Sequence, residues 1–280
     1  MADCFFCGKP AGFLRSKHSE CAAAHAESLE KLPQIFTGYI NLAEVPGRPN
    51  ELRTDVEATA KEGFLSADEF RSEVIKGLGL AIRAALTDRS LTDTELARIQ
   101  EIMNQFGLET PDIVASGARD LLVQGLVLRD LDKGAFQSRL HGEGAIPINL
   151  KKDEVILWIF KGVSRLEPKT SVSYSGSSNG VSFRIMKGVS YRVGASKGHR
   201  IETPTLASKG SGDLYITSSG IYFVGSLSGY TVAHKKISAV EQYSDGISIA
   251  PSSGRNQIFL LSDPRFAAEL ILKIGSLQVG

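Results

Sequence analysis

The chain has 280 residues, 42% apolar and 22% charged, with 32 Lys and Arg against 31 Asp and Glu for a net charge of +1. This is the composition of an ordinary soluble protein, and the length exceeds one average domain, so two or three units are expected. The longest apolar run, Val155-Ile156-Leu157-Trp158-Ile159-Phe160, is too short for a bilayer span, which needs about 20 apolar residues.

The charges are segregated. Residues 1–50 carry 5 basic against 5 acidic residues, 51–150 carry 11 against 17, and 151–280 carry 16 against 9. The basic C-terminal half is suited either to pairing with the acidic middle or to meeting an anionic surface. No charged stretch followed by an apolar run opens the chain, so no secretory leader is expected. An odd cysteine count with Cys-x2-Cys spacing argues for reduced thiols and metal rather than disulfides, and the cytoplasm is the expected compartment.

All three cysteines lie in the first 21 residues, in Cys4-Phe5-Phe6-Cys7 and His18-Ser19-Glu20-Cys21, with His25 close behind. Thiolates and imidazoles at these spacings can close a tetrahedral cage around Zn²⁺. Gly8 gives the backbone freedom to turn around the ion after Cys7. The second ligand pair is His18 with Cys21, at the start of an expected helix from Lys17, or Cys21 with His25, one helical turn apart. The preferred set is Cys4, Cys7, His18 and Cys21, with His25 as the alternative to His18. Four protein ligands leave no position for water, so the zinc is expected to be structural and zinc catalysis is disfavoured. Lys9, Arg15 and Lys17 could meet phosphates, but the charge balance of residues 1–50 disfavours nucleic acid as the partner.

Residues 1–31 form this module and its helix. Residues 32–63, with Pro33, Pro46, Gly47 and Pro49, read as a linker or irregular connection. From 64 to 140 the pattern is helical. Ser66 and Glu69 have capping-box spacing ahead of Phe70, Val74, Leu78, Ala81, Ile82 and Ala85 on one face. Thr92 and Glu95 repeat the box ahead of Leu96, Ile99, Ile102, Met103 and Phe106, with Gly107 as the stop. Thr110-Pro111 opens a further helix. A small helical bundle is predicted.

From about residue 150 the period changes to two. Short β-rich runs cover 154–160, 181–186, 190–193, 213–217, 221–224, 230–233, 237–243, 247–250 and 257–261, separated by Gly/Ser turns. Asp245-Gly246 is a strong hairpin signal. Ser262-Asp263-Pro264 starts a last helix with Phe266, Leu270, Ile271 and Ile274 on its apolar stripe, placed to seal an open end. The expected architecture is α+β and multidomain: a small zinc module, a helical bundle, then an antiparallel β-barrel or sandwich over 150–278 with a C-terminal capping helix.

Three resemblances attach to these residues. Cys4-Phe5-Phe6-Cys7-Gly8-Lys9 with His18-Ser19-Glu20-Cys21 resembles treble-clef-like or ribbon-like zinc modules. The string from Ala84 to Glu95 resembles the interhelical turn of tellurite-resistance TerB-like bundles, with Arg89 where their glycine stands. The segment Gly212-Asp213-Leu214-Tyr215-Ile216-Thr217 turning into Ile221-Tyr222-Phe223-Val224-Gly225 resembles the hairpin of bacterial pleckstrin-homology-like and GRAM-like domains. That last resemblance implies binding to a lipid headgroup, a peptide or a partner protein, and not catalysis. Arg184, Lys187, Arg192, Lys197 and Arg200, with Lys209, lie in a stretch containing only Glu202 as a counter-charge, and are the candidate contacts for an anionic ligand.

No nucleophile elbow, Walker-type loop or His/Cys pair outside the metal motif is present, and Ser208-Lys209-Gly210-Ser211-Gly212 lacks the ending of a phosphate loop. The reading is a non-enzymatic, cytoplasmic binding or scaffold protein, peripheral to the membrane where the ligand is a headgroup. Nucleic-acid binding through the zinc module, and an enzyme with an unrecognised site, are the alternatives.

Overall fold

The computed structural model describes residues 2–12, 15–42, 51–140, 147–174, 183–186, 189–191 and 200–279, with side chains of 169–205 left undescribed. The chain divides into two compact units, Met1–Arg129 and Asp130–Gly280.

The first unit is helical. α1 runs Ser19–Asn41, α2 Glu51–Glu62, α3 Ala67–Ala85, α4 Asp93–Phe106, α5 Thr110–Ala115, and α6 begins at Arg119 and ends at Asp132. Ser66 and Thr92 each close a full capping box with Glu69 and Glu95. Gly107 ends α4 in the left-handed region at φ 60°, where a glycine carries no Cβ penalty. Leu32, Phe36 and Ile40 of α1 join Val74, Leu78, Ile82, Ile99 and Ile102 in one buried cluster. A Cβ on Gly77 would come within 2.3 Å of the Phe36 ring, so this glycine lets α1 settle directly on α3.

Residues 32–63, expected as a linker, instead hold the second half of α1 and all of α2. Proline inside a helix costs about 3 kcal/mol, and burying each of Leu32, Phe36 and Ile40 contributes about 1.5–3 kcal/mol, so packing offsets the break at Pro33. In α2 the buried residues Leu52, Val56, Thr59 and Ala60 repeat at helical spacing, a signal present in the sequence but diluted by the charged residues around it.

The second unit is an antiparallel sheet with a terminal helix. Its strands are β1 Ile156–Tyr174, β2 Phe183–Met186, β3 Val189–Tyr191, β4 Arg200–Thr217, β5 Gly220–Gly225, β6 Gly229–Ala233, β7 Ile237–Gln242, β8 Gly246–Pro251 and β9 Gln257–Leu260, followed by α7 Pro264–Val279. The main sheet has seven strands in the order β6-β5-β4-β1-β9-β8-β7, and β2 pairs with β3 in a second, two-stranded sheet. Among the described residues β6 and β7 are therefore the edges, and the sheet does not close into the expected barrel. β1 holds the two halves together, pairing with β4 along most of its length and with β9 at Ser164, Arg165 and Leu166. Register shifts between Ile156 and Trp158, Phe160 and Val163, and Ser164 and Leu166 interrupt the β1 ladder where such irregularities bend a strand.

β1 and β4 are far longer than the expected runs 154–160 and 213–217. Their added arms mix polar and apolar residues and pair with each other residue by residue, from Glu167 opposite Ala207 to Tyr174 opposite Arg200. α7 is capped as predicted: Asp263 Oδ1 accepts from the Phe266 N–H at 3.0 Å. Phe266 packs edge-on to Trp158 at 4.9 Å between ring centroids, and Leu270, Ile271 and Ile274 are buried with it. The helix lies along β7 and β8 and a 3₁₀ turn at His234–Lys236.

Candidate metal centre

The first ligand pair sits on a backbone knuckle. The Cys4 N–H donates to the Lys9 carbonyl at 2.7 Å, and the Gly8 N–H donates back to the Cys4 carbonyl at 2.9 Å. Gly8 takes φ 68°, the left-handed turn that this tight return requires. A bridge between Asp3 and Pro10 closes the base of the loop.

The second pair sits at the start of α1. His18 is the N-cap residue but makes no side-chain cap, because its ring is turned toward the sulfurs. Cys21 lies in the first helical turn, three residues after His18. The His18 N–H donates to Cys4 Sγ at 3.4 Å, which ties the helix start to the knuckle.

Ligand atoms of Cys4, Cys7, His18 and Cys21 all lie within 4.8 Å of one another, and the three cysteines are free of disulfides. They are close enough to hold one metal ion. His18 Nδ1 is 3.4 Å from Cys7 Sγ and 3.6 Å from Cys21 Sγ. A tetrahedral ion with bonds of about 2.3 Å to sulfur and about 2.0 Å to nitrogen has nitrogen–sulfur edges of about 3.6 Å. The observed edges fit.

Electrostatics point the same way. Burial opposes ionisation of Cys4, but the backbone N–H groups of Cys7, His18 and Phe6 outweigh it and bring the thiol down to about 6. Burial, followed by the adjacent Cys7 and Cys4 sulfurs, pushes the Cys21 thiol up to about 11. A cation placed among these sulfurs would relieve the repulsion between neighbouring thiolates. Thiolate and imidazole donors in a tetrahedral set are those that zinc and iron–sulfur centres use.

The structure separates the two histidines that spacing left open. His25 lies outside the cluster: its Nδ1 is 2.8 Å from the Gly63 carbonyl and its Nε2 is 3.3 Å from Glu69 Oε1. Sequence reasoning missed the Pro10 carbonyl, 3.0 Å from His18 Nε2, and the role of His25, since neither partner is predictable from ligand spacing.

The side chains of the five residues proposed for an anionic ligand all fall within the undescribed stretch. Arg184 falls on β2 and Arg200 at the start of β4, while Lys187, Arg192 and Lys197 lie outside the described residues, as do His141 and His199. Lys209 Nζ is 3.7 Å from Glu167, which Arg255 also pairs at 2.9 Å. His234 is 3% exposed; its Nε2 lies 2.9 Å from the Thr217 carbonyl, and its Nδ1 is buried with no hydrogen-bond partner. Among the described residues, no helix is long and apolar enough to cross a membrane. Compared with known proteins, the chain matches no family model, and no curated protein is similar enough to serve as a relative.

Proposed function

We propose that the chain is a non-enzymatic binding protein: a zinc ion folds its N-terminus, and its C-terminal unit receives an extended segment of a partner protein. The single observation that carries this reading is a groove of about 680 Å³ between α7 and the open edge strand β7, floored by Ile237, Val240, Ile271, Leu272 and Gly275. An edge strand offers unpaired backbone groups to an incoming strand, and apolar pockets beside it select side chains. Leu272 is 58% exposed beside this groove, although it is a large apolar residue. Lys235 lines this groove and is exposed, which suits an acidic residue in the guest segment.

The strand order, the central β1 and the terminal helix also support the pleckstrin-homology-like reading of this unit, and the treble-clef-like reading of the N-terminus is supported by a knuckle paired with a helix start. A protein partner is favoured over an anionic membrane because Lys209 already has a carboxylate partner in Glu167.

The test is selection from a random peptide library on the full chain, followed by hydrogen exchange of the complex. Selected peptides should slow exchange at the backbone amides of Ser238 to Gln242. They should fail to bind Gly275→Leu, whose Cβ enters open space and whose side chain fills the groove. Peptides that bind this variant equally well would remove the groove reading. Salt-sensitive sedimentation with anionic vesicles, lost in Arg192→Glu plus Lys197→Glu, would instead establish the membrane version.

A further inference from the structure

α1 is one uninterrupted helix with His18 at its N-cap, Cys21 in its first turn, and Leu32, Phe36 and Ile40 of the bundle core in its second half. Between these regions stands His25, and both of its ring nitrogens face acceptors from one corner of the fold. Gly63 closes α2, its N–H donating to the Thr59 carbonyl at 3.1 Å. Glu69 completes the capping box that opens α3, with Oε2 accepting from the Ser66 N–H at 2.8 Å and from Ser66 Oγ at 2.7 Å. His25 thus holds the end of one helix and the start of the next. The corner packs tightly on α1, where a Cβ on Gly63 would meet Ser28 Cβ at 2.3 Å.

The other face of His25 belongs to the metal loop. Phe6, between ligands Cys4 and Cys7, lies against the His25 ring at 4.6 Å between centroids. Phe64 of the corner is 6.4 Å from Phe6 and sits at φ 53°, a backbone state that a bulky residue holds only when its surroundings fix it. The ligands come from two segments, the knuckle and the helix start. Bonds to a common ion would fix one against the other more firmly than do the hydrogen bonds from the Phe5 N–H to the Ser16 carbonyl and from the His18 N–H to Cys4 Sγ. When that bond set is missing, Phe6 is free to withdraw, and water reaches the contacts of His25 with Gly63 and Glu69.

We propose that Phe6 and His25 couple the metal centre to the α2–α3 corner, so that filling the ligand set orders residues 63–70 and emptying it loosens them. His25 is then a positioning residue and not a fifth ligand. This coupling goes beyond the partner-binding role of the C-terminal unit and does not rest on it.

The test is hydrogen exchange on the full chain, zinc-loaded and after chelation. The reporters are the N–H of Leu65 bonded to the Ala60 carbonyl, and those of Glu69 and Phe70 bonded to Ser66. Chelation should speed their exchange by about 10-fold or more while Ile82 and Ile99 keep their protection. His25→Ala and Phe6→Leu should retain bound zinc by elemental analysis, yet exchange fast at the corner whether loaded or chelated. The proposal is overturned by corner amides that stay protected after chelation, by a uniform rise over all helices, or by loss of zinc from His25→Ala. It is also overturned if either variant still responds to chelation as the wild type does. Phe6→Leu keeps the test decisive should His25→Ala fail to fold.

Discussion

His18 Nε2 lies 3.0 Å from the carbonyl oxygen of Pro10. A carbonyl only accepts, so Nε2 carries the proton and Nδ1 presents its lone pair to the sulfurs of Cys7 and Cys21. The loop that carries the first ligand pair therefore also sets the tautomer of the third ligand. Purified protein is expected to hold about one zinc per chain by elemental analysis, with four protein ligands around it. Cys21→Ser should lose the metal and His25→Ala should keep it. Retention of zinc by Cys21→Ser would show that the cluster is not the binding site.

The seat of Phe36 on Gly77 gives a second expectation. Gly77→Ala improves helix propensity by about 1 kcal/mol, but it places a methyl carbon 2.3 Å from the Phe36 ring. Overpacking costs about 1–3 kcal/mol, so the variant should unfold at lower denaturant concentration with an unchanged slope. A gain in stability would mean that α1 does not lie this close to α3.

Arg89 occupies a left-handed backbone position at φ 66° in the turn before α4. A side chain there costs about 1–2 kcal/mol, only part of which glycine returns through its greater freedom in the unfolded chain. Arg89→Gly is expected to stabilise the helical unit by about 0.5–1 kcal/mol in thermal melts. A fall in melting temperature would show that contacts of the Arg89 side chain outweigh the backbone term.

His234 ties stability to acid. Burial holds its imidazole below the ordinary value of 6.5, against smaller opposing contributions from the Thr217 carbonyl and the Glu154 carboxylate. Below about 6.5 the unfolded chain takes up a proton that the folded chain refuses, so this residue lowers stability as pH falls and contributes no slope well above that point. Denaturant titrations of wild type and His234→Gln between about pH 7.5 and pH 5.5 should diverge, the wild type losing more stability on acidification. Parallel curves would remove His234 from the account.

What the sequence made legible was local. Capping boxes at Ser66 and Thr92, the Gly107 stop, the Asp263 cap and the cysteine spacing act over three or four residues, and each is in place. What it hid was settled at long range. The contact of His25 with Gly63 joins residues 38 apart, so no spacing rule separates His25 from His18 as a ligand. Helix through Pro33 depends on the buried faces of Leu32 and Phe36, which propensity does not register. The long arms of β1 and β4 are held by paired backbones, and a ladder needs no alternation of apolar residues to form.

The unclosed rim at β7 carries a liability as well as a use. Any strand of suitable register could dock there, including one from a second molecule of the same chain, and such additions can continue without end. The exposed charges of Lys235, Lys236 and Glu241 along this border are natural gatekeepers against indiscriminate pairing. Neutralising them would be expected to trade selectivity for stickiness, and a chain so altered should drift toward oligomers as its concentration rises.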